Sequence, residues 1–381
     1  MTDTLPADTR PPHGPVIAGD GVGKEDVNPF HLTPSPGLVG WMGDHDITLG
    51  FTTYGVGKVV LLGPGRGGRL AVSERSFGRA MALRATETGL YLSTQHQIWH
   101  FENGLEPGHV FDGWDRLYMP RSCHVTGGVD VHDIHLGSDG TPIAAVTLYN
   151  CLAELDDRGS FSPIWRPAFI DGIVNEDRCH LNGFCMENGV PAYASVIGAS
   201  NVAGGWREMR GHGGLVIDVR TDAVVTDGLS MPHTPRLYRN ELYVLEAGSG
   251  WFGRIDRQSG RFERLTWCPG FLRGLSFHGD YAVVALSKPR NEVFAGLPLD
   301  GELAQRNQEP ECGVYVIRLS DYTVRHKLTI TGSVEEIYDT TVLSGARQPL
   351  LIGVEREEIT KYVAVGPDRS TRAAAPELAA G

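Results

Sequence analysis

The sequence lacks the features of several large protein classes. Its six cysteines are scattered without a C-x-x-C pair, which argues against a zinc ribbon or a thioredoxin-like motif. No apolar run approaches the ~20 residues of a membrane helix, and the N-terminus lacks the plan of a secretory signal. A formal net charge of -12 argues against nucleic acid or an anionic membrane as partner. We therefore expect a cytoplasmic protein with reduced cysteines.

Glycine and proline are abundant, at 49 and 23 of 381 residues. They separate short apolar segments, a spacing typical of tight turns between strands, and we predict no helix of any length. Residues 1–45 are polar at their start and are predicted to be a disordered or loosely packed arm. Residues 46–365 are predicted to form a single all-β domain, and the Ala/Pro-rich residues 366–381 a disordered tail.

One pattern recurs along the chain: a polar residue, an apolar residue four positions later, a polar turn and an apolar strand. The copies begin at Arg79, His132, His180, His233, Arg273 and, less clearly, Glu336. The intervals of 53, 48, 53, 40 and 63 residues are typical of propeller blades rather than of helical solenoids. Two long insertions, 198–213 and 288–311, interrupt blades, and loops of this length are often functional.

The two ends of the chain are predicted to share one blade. The last copy has too few strands, whereas the strands predicted at 47–53 and 58–62 have no inner copy of the pattern. Joining them completes a blade and removes exposed strand edges. We therefore predict a six-bladed β-propeller closed by strands from both termini. The alternative is a seven-bladed propeller in which 47–62 form an incomplete blade of their own.

Polar residues at the starts of the inner strands are predicted to meet at one mouth of the central channel. His132, His180 and His233 fall on successive blades, so they suit a facial three-histidine site for a divalent metal ion. Neutral imidazoles bind zinc, iron or copper and leave coordination positions for water and substrate. The alternative is that these histidines are structural and hydrogen-bond to water and backbone groups.

The same layer supplies candidates for other roles. Arg273 and Arg79 would bind a substrate carboxylate or stabilise negative charge, unless they only form ion pairs with Glu336 that tie blades together. Glu336 would move a proton, and Tyr338 is a further catalytic candidate. Tyr149 and Trp206 are candidates for substrate contacts.

Three residues near the proposed ligands are predicted to support them. Asp133 and Asn182 would fix imidazole tautomers. The strand period puts His135 on the opposite face from His132 or further down the channel.

Four motifs carry a resemblance to a known family: Ser160-Phe-Ser-Pro-Ile-Trp-Arg-Pro-Ala-Phe-Ile170, Glu176-Asp-Arg-Cys-His-Leu-Asn-Gly183, Met231-Pro-His-Thr-Pro-Arg236 and Pro269-Gly-Phe-Leu-Arg-Gly-Leu275. With them the chain resembles, over residues 47–355, a bacterial family of β-propeller proteins with a domain of unknown function. That resemblance implies the fold and supplies no activity. The chain has Thr234 where the family pattern has serine, and His135 where it usually has a small residue.

A more distant likeness is to the lyase domain of peptide-amidating enzymes, a six-bladed propeller whose zinc is held by three histidines near an arginine. This analogy at the level of the fold licenses only a hypothesis. We predict a metal-dependent enzyme, a lyase or hydrolase or else an oxidase or oxygenase, that acts on a small polar, anionic metabolite. The alternatives are a non-catalytic propeller that binds a small molecule or a protein, and a metal-free cyclase or isomerase that uses Glu336 and Tyr338. A monomer and an oligomer are both compatible with the sequence.

Overall fold

The chain folds mainly into short strands, as its many turn residues predict, and the computed structural model describes residues 30–289 and 296–365. The strands are β1 Phe30–Pro34, β2 Ile47–Thr53, β3 Lys58–Pro64, β4 Leu70–Ser76, β5 Leu83–Ala85, β6 Gly89–Ser93, β7 Gln97–Asn103, β8 Arg116–Val125, β9 Val131–Leu136, β10 Pro142–Val146, β11 Cys151–Glu154, β12 Ser162–Trp165, β13 Leu181–Glu187, β14 Val190–Val196, β15 Gly214–Asp218, β16 Val224–Leu229, β17 Pro232–Tyr238, β18 Glu241–Glu246, β19 Trp251–Ile255, β20 Phe262–Trp267, β21 Phe271–His278, β22 Tyr281–Ser287, β23 Gly313–Arg318, β24 Thr323–Gly332, β25 Thr340–Ser344 and β26 Pro349–Leu351. The helices are α1 Leu38–Asp44, α2 Trp206–Met209 and α3 Pro298–Arg306.

The strands of the described residues pair into six sheets, which are the blades of a propeller. From the axis outward, blade one is β5–β8, blade two β9–β12, blade three β13–β16, blade four β17–β20 and blade five β21–β24. The inner strands of all the blades contact one another in a closed ring. The predicted six-bladed propeller is therefore confirmed, and the seven-bladed alternative is wrong.

Blade six is assembled from both ends of the chain. Its inner strand β25 pairs antiparallel with β2, with Thr340 opposite Phe51, and β3 and β4 complete the sheet. The chain ends also reach the two flanking blades, since β1 pairs with the outer strand β24 of blade five and β26 pairs in parallel with β8 of blade one. Closure therefore follows the prediction, and two further strands cover neighbouring sheet edges.

Burial explains why several strands read as continuous apolar runs. Every residue of β2 and β3 is buried, because both faces of a blade pack against neighbouring blades. All six cysteines are free. None of the helices in the described parts of the chain is long and apolar enough to cross a membrane.

The structure corrects three local predictions. The arm is predicted to extend to residue 45, but β1 and α1 lie within it, and Leu38, Trp41 and Met42 of α1 are buried in the core. The aromatic residues and prolines of 160–169 favour an ordered loop rather than a strand, yet this segment contains β12, which pairs with β11. The presence of α1 and α3 contradicts the expectation of no helix.

The helix α3 lies in the insertion predicted at 288–311, of which residues 290–295 lie outside the described part of the chain. Residues 1–29 of the predicted arm and the whole predicted tail 366–381 also lie outside it.

Candidate functional site

The inner strands surround a channel that contains two cavities. At the end where the inner strands begin lies the histidine cavity, of about 230 Å³. It is lined by Tyr54, Asp130, His132, Asp177, His180, Trp206, Arg207, Met231, His233, Arg273 and Tyr338. A constriction of about 10 Å³, with room for one water, separates it from the second cavity.

The second, the arginine cavity, has about 270 Å³ and lies further along the inner strands. Its wall includes Arg84, His135, Arg236, Leu275 and Phe277.

Six of the twelve site residues predicted from the sequence come together in the histidine cavity. These are His132, His180, His233, Arg273, Tyr338 and Trp206. Trp206 comes from the insertion 198–213, whose short helix α2 places the indole over the channel mouth. The repeat therefore located one mouth of the channel and several of its side chains.

Three other predicted residues lie outside the cavity wall. Arg79 is exposed, and its guanidinium carbon lies 4.9 Å from the centroid of the Tyr54 ring at the rim. Glu336 is half-buried, and its carboxylate lies 2.7 Å from Nη1 of Arg273, so it forms the ion pair that was the alternative to a proton-transfer role. Tyr149 packs its ring on Phe161, with centroids 5.1 Å apart, in the core beside blade two.

His180 is held by a carboxylate. Its Nδ1 lies 2.8 Å from Oδ2 of Asp177, which also accepts a hydrogen bond of 2.9 Å from the indole of Trp206. Burial alone would raise the pKa of Asp177, but the hydrogen bond and charge of His180 outweigh it and hold that pKa below its ordinary value. His180 has a φ of 53°, a left-handed conformation that is uncommon for a residue with a side chain and is often found at functional sites.

The other two imidazoles are held by backbone carbonyls two residues earlier. Nδ1 of His132 lies 3.1 Å from the carbonyl oxygen of Asp130, and Nδ1 of His233 lies 3.0 Å from that of Met231. Burial, reinforced by His180 and Arg273 against the opposing charge of Asp130, lowers the pKa of His132 to about 4. Burial and Arg273 hold the pKa of His233 well below its ordinary value. Both imidazoles are therefore neutral at neutral pH.

These contacts fix the tautomer of each imidazole. Carbonyl and carboxylate oxygens only accept hydrogen bonds, so in His132, His180 and His233 the Nδ1 atom carries the proton. In the neutral form of each ring, Nε2 then keeps its lone pair. A lone pair at this position can accept a proton or bind a metal ion.

The three histidines do not form a preassembled metal site. The rings of His132 and His180 are perpendicular, with centroids 4.9 Å apart, whereas His233 packs its ring on Phe271. Among the described residues, no three His, Cys, Asp or Glu side chains are placed to hold a metal ion together. Metal binding by these histidines therefore stays a prediction.

Aromatic rings surround the guanidinium of Arg273. Its central carbon lies 5.0 Å from the ring centroid of Tyr338 and 5.8 Å from that of Tyr54, and these two rings stack on each other. The Nε of Arg273 and the hydroxyl of Tyr338 are buried and have no hydrogen-bond partner within the described parts of the chain. Burial and the nearby Asp130 raise the pKa of Tyr338 well above its ordinary value, so this hydroxyl stays a donor. Both groups are thus available to a ligand.

The residues predicted to support the histidines behave differently from one another. The side-chain nitrogen of Asn182 donates to the carbonyl of Pro232 and lies 3.2 Å from Nδ1 of His233. Both of these nitrogens carry protons, so the contact is not a hydrogen bond that fixes the imidazole, and the supporting role of Asn182 stays a prediction. Asp133 does not contact His132; it accepts hydrogen bonds of 2.7 and 3.0 Å from Arg236. His135 lies further down the channel in the arginine cavity, one of the two predicted positions.

Two aspartates of the constriction link inner strands in the same way. Asp133 accepts the backbone N–H of the next residue, Ile134, and that of Phe184 on blade three. Asp339 accepts the N–H of the next residue, Thr340, and that of Leu83 on blade one. These bonds join adjacent inner strands below the histidine cavity.

Sequence reasoning missed the acidic members of the histidine cavity. Asp130 and Asp177 precede His132 and His180 by two and three residues. That proximity was the available signal, since a short turn lets an acidic residue reach the following imidazole. The aromatic rim residue Tyr54 gave no such signal, because it lies in a turn far from the other members in sequence.

Comparison with known proteins gives a family. A search of curated proteins returned no match. Among solved structures, the chain is similar to a protein of unknown function from Bacteroides caccae, with 10% identity, a TM-score of 0.48, and 78% of this chain and 99% of that one covered. It is also similar to virginiamycin B lyase from Staphylococcus aureus, with 12% identity, a TM-score of 0.37, and 79% and 99% covered. Likenesses this weak carry no functional information about the chain. The family model of the domain of unknown function DUF4915 matches residues 36–352, and the chain therefore belongs to that family.

Proposed function

We propose that this propeller is an enzyme that transfers protons in a small anionic metabolite bound in the histidine cavity, as a lyase or an isomerase. The observation that carries the proposal is the hydrogen bond of 2.8 Å between His180 and Asp177 in the wall of that cavity. A carboxylate that holds Nδ1–H orients the imidazole and stabilises the imidazolium that forms when Nε2 takes a proton. His180 is therefore the general base and Asp177 positions it.

The neighbouring side chains are suited to bind the anionic group of the substrate and to stabilise the negative charge that forms when His180 removes a proton. Arg273 would hold an anionic group of the substrate, with Glu336 fixing its guanidinium from behind. The buried hydroxyl of Tyr338 stays protonated, so it would donate a hydrogen bond or a proton to developing negative charge. Trp206 would cover the substrate while it orients Asp177.

A second candidate is the metal-dependent form of the same enzyme, with zinc, iron or copper on His132, His180 and His233. It is favoured by the engagement of all three Nδ1 atoms with oxygen acceptors, the arrangement that usually accompanies metal-binding imidazoles. The ion would supply Lewis-acid or redox chemistry. A third candidate, a propeller that binds its ligand without chemistry, would use the same cavity.

Deuterium incorporation tests the proposal with many candidate substrates at once. The protein is incubated with a mixture of small carboxylate and phosphate metabolites in heavy water, and mass spectrometry follows deuterium uptake and new products. We expect turnover by the wild type and a loss of roughly a hundredfold or more in Asp177→Asn. Tyr149→Phe, a matched change outside the cavity, keeps full turnover.

The alternatives give different results in the same assay. Turnover that a chelator abolishes, together with one metal ion per chain that His180→Ala loses, supports the metal-dependent form. A metabolite that binds without deuterium uptake or conversion leaves only the non-catalytic propeller. Equal turnover by wild type and Asp177→Asn overturns the role of the His180–Asp177 pair.

We also propose a cytoplasmic location. All six cysteines are free, and five of them are buried thiols, as expected of a protein in a reducing compartment. Fractionation of cells that express the full chain tests this.

A further inference from the structure

The arginine cavity contains a cation without a partner. Arg84 projects from β5, the inner strand of blade one, and is half-buried. Within residues 30–289 and 296–365, its guanidinium makes no hydrogen bond or ion pair. Burial and the nearby Arg236 lower the pKa of Arg84, although a guanidinium remains charged at any ordinary pH. A charge that is partly removed from water without a partner is costly, so the site favours an anion.

The other charges nearby leave this cation unbalanced. Arg236 is already engaged by both carboxylate oxygens of Asp133. The remaining carboxyl group close to Arg84 is that of Asp339, whose pKa burial raises to about 7 despite the opposing charge of Arg236. Asp339 is thus partly protonated near neutral pH, and the cavity has up to one positive charge in excess.

Two residues of the cavity wall also have buried polar atoms without a hydrogen-bond partner among the described residues. His135 is 2% exposed, and its Nε2 is such an atom, 3.5 Å from Asp133. Arg236 is 8% exposed, and its Nε is the other. Buried polar atoms are rarely left in this state in a protein, and a bound ligand or water is the usual explanation.

The rest of the wall defines the kind of anion. Leu275, Phe277 and Val342 line the same cavity, and Phe277 stacks on Tyr238 with ring centroids 4.5 Å apart. A volume of about 270 Å³ is below that of most drug-sized sites. One surplus positive charge suits a monoanion better than a phosphate dianion, and the planar fork of a guanidinium matches a carboxylate.

We propose that the arginine cavity is a second ligand site, which binds a small organic carboxylate between Arg84 and the apolar wall at Leu275 and Phe277. It lies beyond the constriction from the histidine cavity and takes no part in the reaction proposed there.

Fluorine NMR with para-fluorobenzoate as the probe tests this site. The probe combines one carboxylate with a small apolar ring, and its line width reports binding to the full chain. We expect binding to the wild type, at least about tenfold weaker binding to Arg84→Met, and none of the neutral analogue para-fluorobenzamide. Arg273→Met is the matched control, because it removes the guanidinium of the histidine cavity and leaves Arg84 in place. We expect this variant to bind para-fluorobenzoate with the affinity of the wild type.

Several results would overturn the site. They are absence of binding to the wild type, equal affinity in Arg84→Met, equal binding of the amide, or loss of affinity in Arg273→Met, which would place the probe in the histidine cavity. Arg84 has no protein partner among the described residues, so Arg84→Met should melt no lower than the wild type; Arg84→Gln is a second variant with the same expected loss of binding. Because the probe needs no turnover, failure here leaves the proposed reaction untouched, and failure of the reaction leaves this site untouched.

Discussion

The two cavities of the channel differ in how their positively charged side chains are paired with carboxylates. In the histidine cavity, Arg273 lies 2.7 Å from Glu336, and Asp177 engages His180. In the arginine cavity, Arg84 has no carboxylate partner within the described residues. The first arrangement balances charge around oriented imidazoles, which suits proton transfer. The second has up to one positive charge in excess, which suits retention of an anion. On these proposals, one propeller channel supports two kinds of site.

Two aspartates in the constriction between the cavities make equivalent hydrogen bonds but differ in the pKa of their carboxyl groups. Asp133 and Asp339 each accept the next residue's N–H and one from the neighbouring inner strand. Arg236 pairs with Asp133, and although burial opposes it, this ion pair holds the pKa of Asp133 below its ordinary value. Burial raises the pKa of Asp339 to about 7. The presence of one guanidinium therefore decides which carboxyl is charged.

Breaking the ion pair between Arg236 and Asp133 should cause the largest loss of stability among these variants. Arg236→Met leaves Asp133 buried without its cation, and we expect the free energy of unfolding to fall by about 3–5 kcal/mol. Urea denaturation at neutral pH measures it. The control Arg254→Met removes a half-exposed pair with Glu263 and should cost about 1 kcal/mol or less. Equal stability of the two variants would show that Asp133 is not held as described.

Acid should destabilise both cavities through histidines that are buried in their neutral form, His132 and His233 in the histidine cavity and His135 in the arginine cavity. Burial is the largest cause that lowers the pKa of His132 and that of His135 to about 4. The nearby His180 lowers the pKa of His132 further, and the nearby Arg84 does the same for His135. An unfolded histidine has a pKa of about 6.5, so between these values the unfolded chain binds more protons than the folded one. The free energy of unfolding should therefore fall as pH falls from 6.5 to 4, by up to about 1.4 kcal/mol per pH unit for each histidine.

Urea denaturation across that pH range measures the slope. Replacing either residue, in His132→Gln or His135→Gln, should flatten the curve by a similar amount. A slope that neither change affects would mean that these imidazoles are charged in the folded protein.

The smallest expected effect distinguishes the arginine at the rim from the one inside the cavity. Arg79 is exposed and contacts the ring of Tyr54, so Arg79→Met should change the free energy of unfolding by at most about 1 kcal/mol and leave turnover in heavy water intact. Arg273→Met should reduce that turnover. Thermal melting and the deuterium assay measure both. A loss of turnover in Arg79→Met would restore the substrate-binding role that the repeat predicted for it.

Much of the fold could be predicted from local patterns. Intervals near 50 residues indicated blades, and the missing strands of the last blade indicated closure by the N-terminal pair β2 and β3. The helix α1 was missed although Leu38, Trp41 and Met42 have the i, i+3, i+4 spacing of a buried helical face. The three-residue strand β26 carried no usable signal, because a parallel pair between distant segments leaves no local pattern.

The candidate site was predictable only in part. The repeat brought His132, His180 and His233 to one cavity, yet it also placed Arg79 there, as well as Glu336 from its loosest copy. The inner strand of blade one begins only at Leu83, so Arg79 lies in the preceding turn, where its φ is 54°. Spacing alone does not distinguish a residue in a turn from one in a strand.

The sequence by itself determined the mainly β character, a propeller of six or seven blades and the mouth at which the histidines meet, because strand period and blade length are local properties. Only the tertiary structure decided which polar groups pair across the channel, as in Asp133 with Arg236, 103 residues apart. The physical reason is the β-bulge. Register shifts between His233 and Arg236 and between Leu272 and Leu275 add residues to inner strands and change which side chains face the axis. Two residues of one strand can therefore serve different cavities, a division that the alternation of the sequence does not reveal.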